Sequence, residues 1–322
     1  MNINVTSLLN SFTDKHILVI GDVMLDKYIL GSVDRISPEA PVPVVHIEKT
    51  DHHSGGAANV ARNIHGLGGK VTLIGLVGMD DSGKQLKSIL SEDDGISCHL
   101  LAEVQRKTIV KTRIIAQGQQ VVRLDRENIT APSHETIESL KQAISNSLDD
   151  IDGVILQDYN KGVFTKGLIQ WIMDQTREKS LPVYVDPKKQ HFSFYSGARL
   201  FKPNLSEFFT EIDDETDLEK AGESFRSQHA FDLLMVTQGE KGMSLFSKDK
   251  FYQIDTKARA IHDVSGAGDT VIATFALSDV CGSPPNDSAW LANLAAGRVC
   301  EEVGVVPIDT NSLMEIVNHH HD

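Results

Sequence analysis

Cysteine is scarce. Cys98, Cys281 and Cys300 are the only three, and no two form a C-x-x-C pair. Few, odd in number and widely spaced, they exclude a disulfide framework and suggest no zinc site. Long apolar runs are also missing, and the N-terminal Met1-Asn-Ile-Asn-Val-Thr-Ser7 lacks both the basic region and the apolar core of a secretion signal. A cytoplasmic protein with no membrane partner is expected. Positive charge is in deficit: 31 Lys and Arg stand against 45 Asp and Glu, a net charge of −14. That excludes a general binder of nucleic acid or anionic membrane. If such a chain handles phosphate, it must use local amides, a few cations and a metal. There is no G-x-S-x-G, and no G-x-G-x-x-G follows a strand-like run, so a dinucleotide fold is unsupported. Gly78-Met-Asp-Asp-Ser-Gly83-Lys84 has P-loop spacing. Gln85 replaces the hydroxyl residue that would hold magnesium, however, and Asp80 and Asp81 would repel a triphosphate.

What is present is ordinary in bulk. The 322 residues suffice for one large α/β domain or two smaller ones, and 40% hydrophobic with 24% charged residues suits a soluble globular fold. Strand-like runs at His16–Ile20, Val71–Val77, Gly153–Leu156, Val183–Val185, Leu233–Val236 and Met243–Phe246 alternate with helical stretches near 56–67, 82–91, 134–148, 165–178 and 217–228. This alternation predicts a mainly parallel sheet covered on both faces, with ligands beyond the carboxyl ends of its strands. Two segments break the pattern. Residues 27–50 read as loop then extended chain, because the prolines of Ser37-Pro-Glu-Ala-Pro-Val-Pro-Val44 exclude helix. Residues 104–125 read as a hairpin turning at Gly118. Together they predict a small antiparallel lid whose exposed edges could pair with a second subunit. The reading is one domain over residues 1–310, followed by a tail, 311–322, with three adjacent histidines before the final Asp322.

The most informative stretch is Asp263-Val-Ser-Gly-Ala-Gly-Asp269, followed at once by the apolar run Thr270–Leu277. It reads as a tight turn opening a buried helix. The first amides of a helix lack internal partners and carry the positive end of its dipole, so they favour an anion. Asp269 in that first turn suits a base that takes a proton from an attacking hydroxyl, though a plain helix cap fits the local pattern equally well.

Other signals are weaker. Gly55-Gly56-Ala-Ala-Asn59 could bring backbone and a versatile amide to a ligand, or simply pack a helix closely. Asp22 ends the first strand and Asp26 follows; either carboxylate could accept from a polyol, and Asp22 could equally be a turn residue. Asn204-Leu205-Ser206-Glu207 could hold Mg²⁺ through water or cap a helix. Thr237-Gln-Gly239-Glu-Lys-Gly242 is a hairpin-type connection able to touch a nucleotide. Lys161 in Asp158-Tyr-Asn-Lys-Gly162 could bind phosphate as a point charge or lie in solvent.

In this order the segments resemble the ribokinase-like (PfkB) carbohydrate kinases over residues 16 to about 308. Arg35-Ile-Ser-Pro-Glu-Ala-Pro-Val-Pro-Val44, Gln119-Gln-Val-Val-Arg-Leu-Asp125, Asp158–Gly162, Val185-Asp-Pro-Lys188 and Lys202–Glu207 look like the D-glycero-β-D-manno-heptose 7-phosphate kinase branch. Ser265 stands where that branch usually has Thr, and Glu301-Glu-Val-Gly304 is more acidic than the branch near its adenine pocket. The resemblance implies a ribokinase-like three-layer sandwich with a β lid. It also implies ATP with Mg²⁺, admits a monovalent cation, and expects a homodimer through the lid. The small-molecule partners would be a sugar phosphate and ATP. By resemblance Asp269 is the base and the amides of Gly266, Ala267 and Gly268 form an anion hole. Asn204 and Glu207 would organise Mg²⁺, and Leu205, Ser206, Thr237, Gly239, Gly242 and Ser265 would line the nucleotide site. Asp22, Asp26, Gly55, Gly56 and Asn59 would hold the sugar. For the far phosphate the candidates are Arg35, Lys107, Lys111, Arg113, Arg123, Lys161, Lys188 and Lys189, with Arg113 and Lys161 favoured. Another specificity within the family, or a non-catalytic sugar-binding regulator, are the alternatives; intact Asp269, Gly266 and Gly268 oppose the second.

Overall fold

The computed structural model describes residues 4–319 except 128, 213–216, 249 and 257–262. Two of the three terminal histidines therefore lie outside the described residues. In chain order the elements are α1 (Val5–Ser11), β1 (His16–Gly21), β2 (Val23–Ile36), β3 (Pro43–Gly56), α2 (Ala57–Gly66), β4 (Lys70–Gly78), α3 (Asp81–Ser91) and β5 (Ile96–Glu103). Next come β6 (Ile109–Ala116), β7 (Gln119–Arg126), α4 (His134–Ser147), β8 (Gly153–Gln157), α5 (Lys166–Glu178), β9 (Val183–Asp186), β10 (Leu200–Phe201), α6 (Leu205–Phe209) and α7 (Leu218–Gln228). The chain closes with β11 (Leu233–Thr237), β12 (Met243–Ser247), β13 (Lys250–Ile254), α8 (Ala267–Val280), α9 (Pro285–Val299) and α10 (Thr310–His319).

Nine strands form one sheet in the order β13-β12-β11-β10-β9-β8-β1-β4-β5. It is parallel from β11 to β5, and the last two strands turn back antiparallel. Strands covered on both faces read as continuous apolar runs, as His16-Ile-Leu-Val-Ile20 does. Alternate residues of β1 go to opposite cores: Ile17 and Val19 pack with α2, α8, α9 and α10, whereas Leu18 and Ile20 pack with α4 and α5. Helix α8 is buried almost along its whole length and apolar on every side. A helix of that kind belongs in a core, and it anchors whatever its first turn carries.

The lid is a separate four-stranded sheet, β3-β2-β6-β7. It extends further than the sequence suggested. Residues read as loop between 27 and 36 belong to the 14-residue strand β2, paired antiparallel with β3, and the prolines sit in the turn and at the start of β3. The predicted hairpin at Gly118 joins β6 and β7. The abandoned P-loop match has a plain structural role. Asp80 caps α3 by accepting from the Gly83 amide at 2.9 Å, and it also accepts the Thr108 hydroxyl at 2.6 Å. The expected C-terminal tail needs correction as well. Residues 310–319 are helix α10, with Leu313, Ile316 and Val317 buried in the core beside α9. Leu, Ile and Val at helical spacing supply that apolar face. Among the described residues no helix is long and apolar enough to cross a membrane.

Candidate active site

Asp269 is buried in the first turn of α8. Gly266, the residue before the helix, adopts φ +86. This left-handed turn aims the opening amides of α8 beyond the sheet. The Ala267 amide donates to the Val264 carbonyl at 3.3 Å, which removes it from the expected anion hole. Gly268 and Asp269 remain as opening amides without an acceptor inside the helix. Ser265 lies in the turn itself, its amide donating to Asp263 at 2.9 Å.

Three side chains hold the Asp269 carboxylate. Asn59 Nδ2 donates to one oxygen at 2.8 Å; Gln157 Nε2 and the Tyr159 hydroxyl donate to the other at 3.0 and 2.8 Å. Gln157 Nε2 also reaches Asp186 at 2.9 Å, and Lys202 Nζ lies 3.0 Å from the same Asp186 oxygen. Burial pushes the Asp269 carboxyl up to about 7, with Asp186 adding in that direction; hydrogen bonds from Asn59 and Tyr159 and the charge of Lys202 pull the other way. Burial also drives Tyr159 well above the usual phenol range, and Asp269 reinforces it, so this hydroxyl stays protonated and donates. Two amide oxygens, Asn59 Oδ1 and Gln157 Oε1, are buried with no hydrogen-bond partner. Such orphans are costly unless a ligand donor completes them.

Asp26 is buried in lid strand β2. Its carboxylate pairs with Arg113 across the lid strands, and a side chain at Gly55 would collide with it. Arg113, which also stacks on Tyr28 at 5.2 Å, is thereby committed to Asp26 and does not line the cationic cleft described below. Gly56 ends β3 and precedes α2, which carries Asn59. Asp22 departs from expectation. Its carboxylate accepts the backbone amides of Tyr159 and Lys161 at 3.0 and 2.9 Å and that of Val163 at 3.1 Å. It fixes the loop that carries Tyr159 and is spent on that task. From the opposite side, Arg106 donates to the carbonyls of Lys161 and Gly162, each at 2.8 Å.

On the other side of α8, a cavity of about 240 Å³ is lined by Thr237, Gly239, Gly242, Ala267, Gly268, Val271, Asn293 of α9 and Cys300 just after it. Its mostly apolar walls with a few polar groups suit a flat heteroaromatic ring. Asn204 and Thr237 are brought together by a backbone bridge. Asn204 and Glu207 form a capping box: Asn204 Oδ1 accepts the Glu207 amide at 2.8 Å and Glu207 accepts the Asn204 amide at 2.9 Å. Leu205 and Ser206 fill the first turn between them, and Lys188 pairs with the other Glu207 oxygen. Among the described residues no cluster of His, Cys, Asp or Glu is arranged to hold a metal by itself.

Under the lid lies a larger cleft of about 960 Å³, lined by Lys111, Arg123, Tyr159, Lys161, Lys188, Lys189 and Ser206 among others. Of the phosphate candidates, Arg35 and Lys107 are exposed elsewhere. Gln157, Tyr159, Asp186 and Lys202 were not singled out from sequence. Tyr159, Asp186 and Lys202 sit inside motifs noticed as family-like, but only the fold shows that they converge on Asp269.

A buried carboxylate near neutrality, opening amides beside it and an apolar cavity behind them define an ATP-dependent kinase of sugars. The chain belongs to the pfkB family carbohydrate kinases, whose family model matches residues 14–311. It is 42% identical over 302 residues to the bifunctional protein HldE of Methylobacillus flagellatus, covering 92% of this chain and 62% of that protein. It is 39% identical over 320 residues to the bifunctional protein HldE of Aliivibrio fischeri, covering 98% of this chain and 66% of that one. The chain thus spans just under two thirds of the curated relatives it matches. Phosphofructokinase-2 from Escherichia coli in complex with substrates and products shares the fold at TM-score 0.81 and 16% identity, covering 96% of this chain and 100% of its own. Arabidopsis thaliana ribokinase complexed with ribose and ATP follows at TM-score 0.72 and 19% identity, covering 94% and 98%. The fold is therefore ribokinase-like, as the motifs implied.

Proposed function

We propose that this chain transfers the γ-phosphoryl group of ATP to the C1 hydroxyl of D-glycero-β-D-manno-heptose 7-phosphate. The product would be the 1,7-bisphosphate that leads to ADP-heptose for lipopolysaccharide core. The observation that carries the kinase chemistry is Asp269 at the foot of α8, held by Asn59, Gln157 and Tyr159. The heptose assignment is supported by the branch-like segments and by relatives named HldE at 39–42% identity.

Phosphoryl transfer depends on positioning and charge neutralisation. Asp269 accepts the proton of the acceptor hydroxyl at a carboxylate oxygen. The amides of Gly268 and Asp269, with buried Lys202 beside them, face the charge that gathers on the transferring group. Asn59 Oδ1 and Gln157 Oε1 accept sugar hydroxyls, and Asp26 holds the ring side nearest the lid. Gly239, Gly242 and Thr237 border the adenine. Magnesium, when bound with ATP, shields the phosphate oxygens; Asn204 and Glu207 would reach it through water. The lid's outer strand β7 is exposed along its length, with Val121, Val122 and Leu124 uncovered. That edge supports a homodimer through the lids, and a monomer mass by light scattering at micromolar concentration would contradict it.

The decisive assay is ATP turnover with the heptose 7-phosphate, with mass detection of a bisphosphate, alongside fructose 6-phosphate, ribose and unphosphorylated heptose. Preference for a free sugar would reject the reading. A pH prediction follows from the site. The base works only when ionised, so kcat/KM should rise with pH through about 7 and level off above it. Tyr159→Phe removes a donor that favours the ionised form, so the acid limb should move to higher pH. An unmoved limb in that variant would detach Tyr159 from the base.

A further inference from the structure

We infer that the cleft under the lid seats the acceptor's far phosphate and that Lys111 is its anchoring cation, an assignment that rests on the reading of the chain as a sugar phosphate kinase. Five cations line this cleft, from the lid, the loop after β8 and the segment after β9. Four already have acidic partners: Arg123 with Asp125 at 3.0 Å, Lys161 with Glu127 at 2.7 Å, Lys188 with Glu207, and Lys189 with Glu211 at 3.8 Å. Among the described residues, the half-buried Lys111 is the cation of the cleft that forms no ion pair. Its ammonium lies instead 5.3 Å from the centre of the Tyr159 ring, and that of Lys188 lies 5.6 Å from the same centre. Burial leaves the half-buried Lys111 ammonium poorly solvated, and the through-space attraction of Asp26 and Asp125 does not offset that cost. A phosphate dianion in the cleft relieves that cost.

The position also matches the chemistry. The Tyr159 hydroxyl touches Asp269 at 2.8 Å while its ring meets Lys111. One tyrosine separates the base from the lysine, so the reacting hydroxyl and an anchored phosphate would fall at opposite ends of one sugar. Lys111 stands directly across from Asp26 in the lid register, and Arg113, two residues on, is bound to Asp26. The same lid strand therefore carries one cation that orients the carboxylate at the sugar and one left free for the phosphate. Arg113, favoured from sequence, is displaced from the phosphate role by its pairing.

The test is Lys111→Met, which keeps the aliphatic stem and removes the charge, with Lys111→Arg as the charge-retaining control. For Lys111→Met, KM for the phosphorylated acceptor should rise roughly 10- to 100-fold, the value of one charge-assisted contact. KM for ATP, and kcat/KM for the same sugar lacking its phosphate, should stay within about two-fold of the wild type, since uniform binding of one group is all that is lost. Lys111→Arg should recover most of the loss. Three results overturn the inference. A rise in KM for ATP would assign the cleft to nucleotide phosphates. Equal losses on phosphorylated and free sugars would make Lys111 a lid-packing residue. Unchanged kinetics would place the phosphate elsewhere. Failure of the underlying reading looks different: the wild-type enzyme itself would then prefer free sugars to every sugar phosphate.

Discussion

Asp269→Asn should lower kcat by about 10²- to 10⁴-fold, the usual contribution of a general base, with KM for either substrate little changed. The substitution keeps the shape of the side chain and leaves the Tyr159 hydroxyl an oxygen to donate to. Gln157 Nε2 donates to that same oxygen, so the amide NH₂ falls against Asn59 Nδ2 and the hydrogen bond from Asn59 is lost. Stability should nevertheless hold, because burial already drives the native carboxyl up to about 7 and a neutral amide removes the cost of burying that charge. The separation of effects makes the measurement clear: turnover collapses, the melting temperature stays within a few degrees, and ATP still binds. Near-normal phosphorylation at saturating substrates would rule out the base assignment. A collapse accompanied by loss of folding would show that Asp269 acts as a structural cap.

The position of Asp269, the proposed base, was legible because everything that defines it is local. The glycines, the hydroxyl residue, the acid and the apolar helix follow one another within residues 263–280. Asn59 was legible for a similar reason, since paired glycines before a helix announce a close approach. The partners that tune the base were not legible. Gln157 meets Asp269 across 112 residues, and that contact exists because the sheet order brings the end of β8 under α8. Nothing near Gln157 in sequence encodes a strand order. Asp22 shows the converse limit. A carboxylate at a strand's end can serve a polyol or tie down the next loop, and the choice depends on where the amides of residues 158–163 fall. Asn204 and Glu207 kept both of their readings at the sequence level. The capping box occupies them first, and any magnesium role must be compatible with it. The C-terminal helix was missed because ten residues with three buried apolar positions give a weak periodic signal next to a polar end. Lid extent was underestimated for a related reason: proline marks where a strand cannot donate, and here it marks a turn between two long strands.

Gly266→Ala should be the most damaging change that removes no functional group. Gly266 has φ +86, a conformation that costs an L-residue roughly 1–2 kcal/mol. Its new Cβ would also stand 2.8 Å from Asn59 Nδ2, the atom that donates to Asp269. The chain must relieve that contact by moving Asn59, by shifting the first turn of α8, or by both. The first response loosens the base, and the second misdirects the amides that face the transferring phosphoryl group. Loss of one such donor typically costs about 10²- to 10³-fold in kcat, and a loss of that size is expected here. The melting temperature should fall by roughly 2–6 °C, consistent with the backbone penalty in a chain of this size. Gly268→Ala supplies the contrast. That residue lies within α8 and is not among the positive-φ glycines, and its Cβ would meet the Lys202 ammonium at 3.4 Å and an Asp186 oxygen at 3.9 Å, ordinary van der Waals distances. Alanine favours a helix over glycine, so Gly268→Ala should hold or raise the melting temperature even as its methyl crowds the phosphate cradle. Equal thermal losses in the two variants would mean that the left-handed turn at Gly266 is not what sets the geometry of the base.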